Sequence, residues 1–187
     1  MLYISLLRGL NVGGHGKLAM ADLKKMYEAL GFQQVTTIGN TGVVLFFGEK
    51  VDDQKIGEAL RQDVDFPVYL VSFSWEIWQE MMLARPNWFN AQKTWRHNAL
   101  FMLENGRVED FLELIEQAQI PLEQIMVQAP VIFWSTDFSD LKKYRQSAYQ
   151  KLLKHSGYKK ITIRNGNTLA KISDVGAKMM ADHQNLS

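Results

Sequence analysis

The sequence predicts an α+β protein made of two tandem duplicated βαββαβ units, each a ferredoxin-like (α/β-plait) subdomain with an antiparallel sheet, plus linker and C-terminal helices. Three observations carry this expectation. Short apolar or β-branched runs alternate with helical stripes in one order, and that order occurs twice. Each pass takes roughly 70 residues, a span that suits such a unit. An aromatic-rich stretch without period separates the passes. The expected division is an N-terminal subdomain 1–84, a linker 85–97, and a C-terminal subdomain 98–187 that includes the last helix. The plainer alternative is one mixed sheet using all eight strands.

Leu2 to Leu7 is a short, mostly apolar strand that runs into the Gly-rich loop Gly9 to Gly16. Leu23, Met26, Tyr27 and Leu30 recur at helical spacing and Gly31 stops the helix. Gln33 to Ile38 and Val43 to Phe47 form a hairpin around Gly39-Asn40-Thr41-Gly42. Ile56, Ala59, Leu60 and Val64 mark a second helix, and Pro67 opens a strand over Val68 to Phe73. Ser74 is placed to cap a further helix, Trp75 to Leu83.

The linker follows. It holds Trp88, Phe89 and Trp95, large rings in a segment type that is normally polar and exposed. They would bury against the two halves, with Trp88 and Trp95 as the alternative stacking platform for a ring-shaped ligand. The second pass then runs in the same order. Asn98 to Leu103 is a strand; Val108, Phe111, Leu112 and Ile115 are a helical stripe; Gln124 to Gln128 and Val131 to Ser135 are a hairpin. Leu141, Tyr144, Ala148 and Leu152 read as one helix ended at Gly157, and Lys160 to Arg164 as the last strand. A C-terminal helix begins near Thr168, capped by Thr168 or Asn167.

Composition narrows the chemistry. Of 187 residues 47% are apolar, and 21 Lys+Arg stand against 20 Asp+Glu. A folded chain of this size buries roughly 70% of its unfolded surface, ample for a core. With no cysteine, disulfides, thiolate nucleophiles, zinc fingers and iron–sulfur clusters are excluded. No apolar run exceeds the five residues of Val43 to Phe47, far short of the roughly 20 residues of a membrane span. Arg8 interrupts any signal-peptide core, so the expectation is a cytoplasmic protein with no membrane partner. The net charge of +1 hides an asymmetry: residues 141–178 hold ten Lys/Arg and one acid, net +9, whereas residues 1–140 are net −7.

Two loops are the candidate ligand sites. In the first, Arg8, Gly9, Asn11, Gly13, Gly14 and Lys17 combine conformationally free backbone with positive charge, the makings of an anion-binding nest. Its glycine spacing is neither a Walker A loop nor a dinucleotide fingerprint. In the second, Arg164, Asn165 and Thr168 sit where a strand turns into a helix, whose positive end favours anions. The plainer reading of each loop is an ordinary β-to-α turn or helix cap, with the anion site as the alternative. His15, His97, His155 and His183 are scattered, so no metal site and no cofactor is expected.

RGLNVGG after an N-terminal strand resembles the opening motif of a bacterial domain-of-unknown-function family, number 1697. The resemblance extends through MADLKKMYEALGF, VTTIGNTGVVLF, IFWS, KYRQSAYQKLLKHSGY and ITIRNGNTLAKI. It implies two ferredoxin-like subdomains in one chain and supplies no chemistry, because the family's function is uncharacterised. The family usually carries Ser-Gly-Asn where this chain has Thr41-Gly42-Val43, so a polar side chain is missing at Val43, with Asn40 a shifted substitute.

Three functions follow as expectations. The first is a non-enzymatic binding module for a phosphorylated small molecule or nucleotide, held between the Arg8–Lys17 and Arg164–Thr168 loops, with Trp88 or Trp95 stacking. The second is RNA binding through the basic C-terminal half, which would need exposed aromatics such as Tyr3, Phe46, Phe101 or Phe133 on the central strands. The third is an enzyme using His15 or His97.

Overall fold

The computed structural model describes residues 1–11 and 16–185. It contains two four-stranded antiparallel sheets, and the eight strands divide between them as the duplication predicts. The first sheet has β1 (Leu2–Leu7), β2 (Gln33–Ile38), β3 (Val43–Phe47) and β4 (Leu70–Ser74) in the order β2-β3-β1-β4. The second has β5 (Trp95–Met102), β6 (Glu123–Gln128), β7 (Val131–Asp137) and β8 (Ile161–Asn165) in the equivalent order β6-β7-β5-β8. The helices are α1 (Met20–Ala29), α2 (Asp53–Gln62), α3 (Trp75–Leu83), α4 (Leu112–Glu116), α5 (Leu141–Tyr144), α6 (Ala148–Leu152) and α7 (Gly166–Gln184).

The chain forms two compact units, Met1–Glu80 with Ala170–Ser187, and Met81–Leu169. In the first unit, Leu7, Val44 and Phe46 on one face of the sheet pack against Leu23 and Tyr27 of α1 and Ile56 and Leu60 of α2. The opposite face is also buried: Ile4, Leu6, Val43 and Leu45 have no exposed surface. That double burial is what the uninterrupted Val-Val-Leu-Phe-Phe run of β3 encodes, since a half-exposed strand would alternate. From Ala170 onward α7 belongs to this unit, although it was expected with the second subdomain. Trp78 of α3 donates its indole N–H to Ser173 Oγ at 3.1 Å, and His183 stacks on Phe47 at 4.2 Å between centroids. Gly176 leaves the space that the Trp75 ring fills.

In the second unit, Leu100, Met102, Ile132, Trp134 and Ile161 face Phe111, Tyr144, Tyr149 and Leu152. Three sequence expectations need correction here. The strand expected from Asn98 starts at Trp95, because Trp95, Arg96 and His97 pair with Asp137, Thr136 and Ser135 of a longer β7. Residues 108–116 are a 3-10 turn (Val108–Phe111) followed by α4, the turn being closed where Asp110 accepts the Arg107 N–H. The single helix expected over 141–152 is broken into α5 and α6. Ser147 donates to Tyr144 O and accepts from Gln150 N, while the buried Glu123 carboxylate accepts the N–H groups of Ala148 and Tyr149 and so starts a second helix.

Candidate functional site

The expected Gly-rich loop lies in the first unit. Gly13, Gly14 and His15 fall outside the described residues. On either side of them the chain is drawn together: Asn11 N–H donates to Gly16 O, and a Cβ on Gly16 would stand 2.8 Å from Gly9 O. The Asn11 carboxamide donates to Leu18 O and Asn40 O and accepts from Leu18 N. Its polar atoms are therefore engaged in holding the loop and in tying it to the β2–β3 turn. Asn40 serves through its backbone carbonyl rather than its side chain, and Val43 lies in the core with no exposed surface. Lys17 is exposed beside α1, whose N-cap Ala19 supplies no side-chain acceptor.

The second expected loop lies in the other unit and lines a cavity of about 390 Å³. Its origin is a mismatch in strand length. β8 pairs with β5 only from Asn98↔Asn165 onward, so residues 95–97 have β7 on one side and no strand on the other. There α7 starts, and Asn165, Gly166 and Asn167 form one border of the notch. Asn165, not Thr168 or Asn167, caps the helix: its Oδ1 accepts the Thr168 N–H at 2.8 Å and the Thr168 hydroxyl at 3.0 Å. Gly166 is required because a Cβ there would stand 2.6 Å from Asn90 Oδ1, and Asn90 is itself held at φ 66°.

Side chains leave alternate faces of β5. Arg96 and Asn98 point to the helical side, where Tyr144 and Tyr149 complete the wall. Arg96 lies 3.6 Å above the Phe138 ring and reaches the Tyr144 hydroxyl at 3.4 Å, an arrangement that fixes a guanidinium while leaving its other N–H groups available. Burial raises the Tyr149 pKa, keeping that phenol protonated. On the other face, His97 is locked. Nε2 lies 2.8 Å from Gln92 O and must donate to it, and Nδ1 lies 2.6 Å from the fully buried Ser135 hydroxyl. No ring nitrogen is left for a substrate proton.

Arg164 does not line the cavity. It lies on the sheet face away from the helices, donating to Thr162 Oγ1 and Ile163 O, and its burial lowers its pKa to about 10. Trp95 borders the cavity and Trp88 does not; Phe89 packs edge-on against Phe133 and His97. The aromatics that RNA binding would use are internal, since Phe46, Phe101 and Phe133 have no exposed surface and Tyr3 stacks on Phe46. Among the described residues no three of His, Asp and Glu gather at metal-binding distance, and no helix is long and apolar enough to cross a membrane.

The family described as "Protein of unknown function (DUF1697)" matches residues 1–133. The chain belongs to the DUF1697 family. It is also similar to a solved structure, that of conserved bacterial protein SP0830 from Streptococcus pneumoniae. The two are 30% identical with a TM-score of 0.78, over 92% of this chain and 97% of that one. No curated protein matches. Asn90, Arg96, Asn98, Tyr144 and Tyr149 are cavity residues that sequence reasoning did not mark as part of a site. The available signal was polar Arg96 and Asn98 alternating into an apolar strand, which marks a face that is not all core.

Proposed function

We propose that this DUF1697 member is a non-enzymatic binding module for a phosphorylated small molecule or nucleotide, and that its site is the notch at the end of β8. The observation that carries the reading is the charge of the lining. Arg96 is its one permanently charged side chain, it is fixed by aromatic contacts, and no carboxylate shares the cavity. A guanidinium with free N–H groups forms paired, charge-assisted hydrogen bonds to phosphate. The positive end of the 19-residue α7 adds to it. The engagement of both His97 nitrogens favours binding over acid–base catalysis, and the internal position of the sheet aromatics favours a small ligand over RNA.

A thermal-shift screen of nucleotides and phosphometabolites tests the reading, since a ligand that prefers the native state raises its melting temperature by mass action. A hit that is lost in Arg96→Ala supports it. Failure of every phosphorylated compound to shift the wild-type protein, or hits unaffected by Arg96→Ala, overturns it.

A further inference from the structure

We infer that the phosphorylated ligand of this cavity is a nucleoside monophosphate, its base lying against Trp95 and its polar edge met by asparagine carboxamides. The inference rests on the binding reading above and narrows it. Size is the first argument. About 390 Å³ is at the small end of the roughly 300–1,000 Å³ range of ligand cavities, a volume that matches one base, one pentose and one phosphate.

Unused hydrogen-bonding groups are the second argument. The carboxamides of Asn90, Asn98 and Asn167 border the cavity and bond to no described residue. A carboxamide offers a donor beside an acceptor, which is the pattern presented by the edge of a base; asparagine pairs with adenine in this way in nucleic-acid grooves. A phosphosugar without a base presents hydroxyl donors instead. Carboxylates would be their strongest acceptors, and the lining has none.

The third argument is the geometry of the open edge. Trp95 and Arg96 are successive residues, so their side chains leave opposite faces of β5. They reach one cavity because no strand lies beside residues 95–97 on that side. A ligand crossing the bare edge meets the guanidinium with its phosphate on one face and the half-buried indole with its base on the other.

Titration calorimetry on the full chain, with the four 5′-ribonucleoside monophosphates, ribose 5-phosphate and inorganic phosphate, decides the matter. At least one mononucleotide should bind more tightly than ribose 5-phosphate. Trp95→Ala should weaken that mononucleotide by roughly 5- to 150-fold, the range of base–aromatic stacking. It should leave ribose 5-phosphate unchanged, and Trp95→Phe should restore most of the loss. If ribose 5-phosphate binds as tightly as every mononucleotide, or if Trp95→Ala weakens both equally, the base assignment is overturned and phosphate binding stands. If no phosphorylated probe binds, the underlying reading falls and takes this one with it. Should Trp95→Ala fail to fold, Trp95→Phe and the comparison of wild-type affinities still decide.

Discussion

Glu123 is the residue whose removal the structure prices most clearly. Its carboxylate is fully buried and accepts four N–H groups: Trp134 Nε1 at 3.0 Å, Ala148 N at 2.9 Å, Tyr149 N at 2.9 Å and Gln119 N at 3.1 Å. Each oxygen takes two of them. In Glu123→Gln one oxygen becomes an NH2 group, so in either orientation of the amide two donors face a donor. Hydrogen bonds to a charged group contribute about 1.5–3 kcal/mol each, and losing two costs roughly 3–6 kcal/mol. Burying a neutral amide is easier than burying a carboxylate, which offsets part of this, and we expect a net loss of about 3 kcal/mol. In a cooperative unit the size of Met81–Leu169 that corresponds to a melting temperature lower by roughly 12–24 °C. Urea unfolding followed by far-UV circular dichroism measures it. Two of the four donors form the first turn of α6, which carries Tyr149 to the cavity wall, so ligand affinity should fall in parallel. A stability loss below about 1 kcal/mol would refute the view that this carboxylate organises the α5–α6 break.

Three further outcomes are expected. Gly176→Ala drives a Cβ into the Trp75 ring and should cost about 2–3 kcal/mol, the upper part of the overpacking range, whereas Gly31→Ala, at φ +88° with no heavy atom within 4 Å, should cost only about 1 kcal/mol of backbone strain. Calorimetric melting of the two variants separates clash from strain, and equal losses contradict the packing of α7 on Trp75. Asn11→Ala removes three hydrogen bonds that close the Gly-rich loop and should raise the rate of limited proteolysis within residues 9–18; an unchanged cleavage rate contradicts the tether. The Asp110 carboxyl is held below its usual pKa, first by the hydrogen bond from Lys160 at 2.9 Å and then by the Arg107 N–H. A depressed folded value means that its stabilisation is complete above the unfolded pKa of about 3.9 and is lost as the pH falls through the folded one. Stability of Asp110→Asn should therefore decline less steeply than wild type below about pH 4, and parallel acid limbs would contradict the pairing.

What the sequence reveals and conceals follows from the range of each interaction. The duplicated element order is a local property. Val43–Phe47 and Val131–Trp134 announce buried central strands by lacking alternation, and the turn residues between strands locate the hairpins, so both sheets could be foreseen. The break between α5 and α6 has no local cause. The apolar spacing of Tyr144, Ala148 and Leu152 continues straight through it, and the carboxylate that starts the second helix lies 25 residues upstream of Ala148. A glutamate at the first position of a strand reads as surface, because unpaired glutamates are almost never buried. The cavity divides in the same way. Asn165, Trp95 and His97 were noticeable singly, yet their meeting depends on β5 starting three residues before its pairing with β8 begins, and pairing length is a tertiary property. Arg164 shows the opposite failure: a cation next to a helix start invites an anion, but strand alternation turns it to the face away from the helices and into contact with Thr162. One residue of register separates a side chain that borders the notch from one buried behind it. Under the proposed binding reading, the residues of this chain to test as ligand contacts are therefore those that strand pairing leaves at the open edge of β5, rather than those standing out in the glycine and arginine motifs.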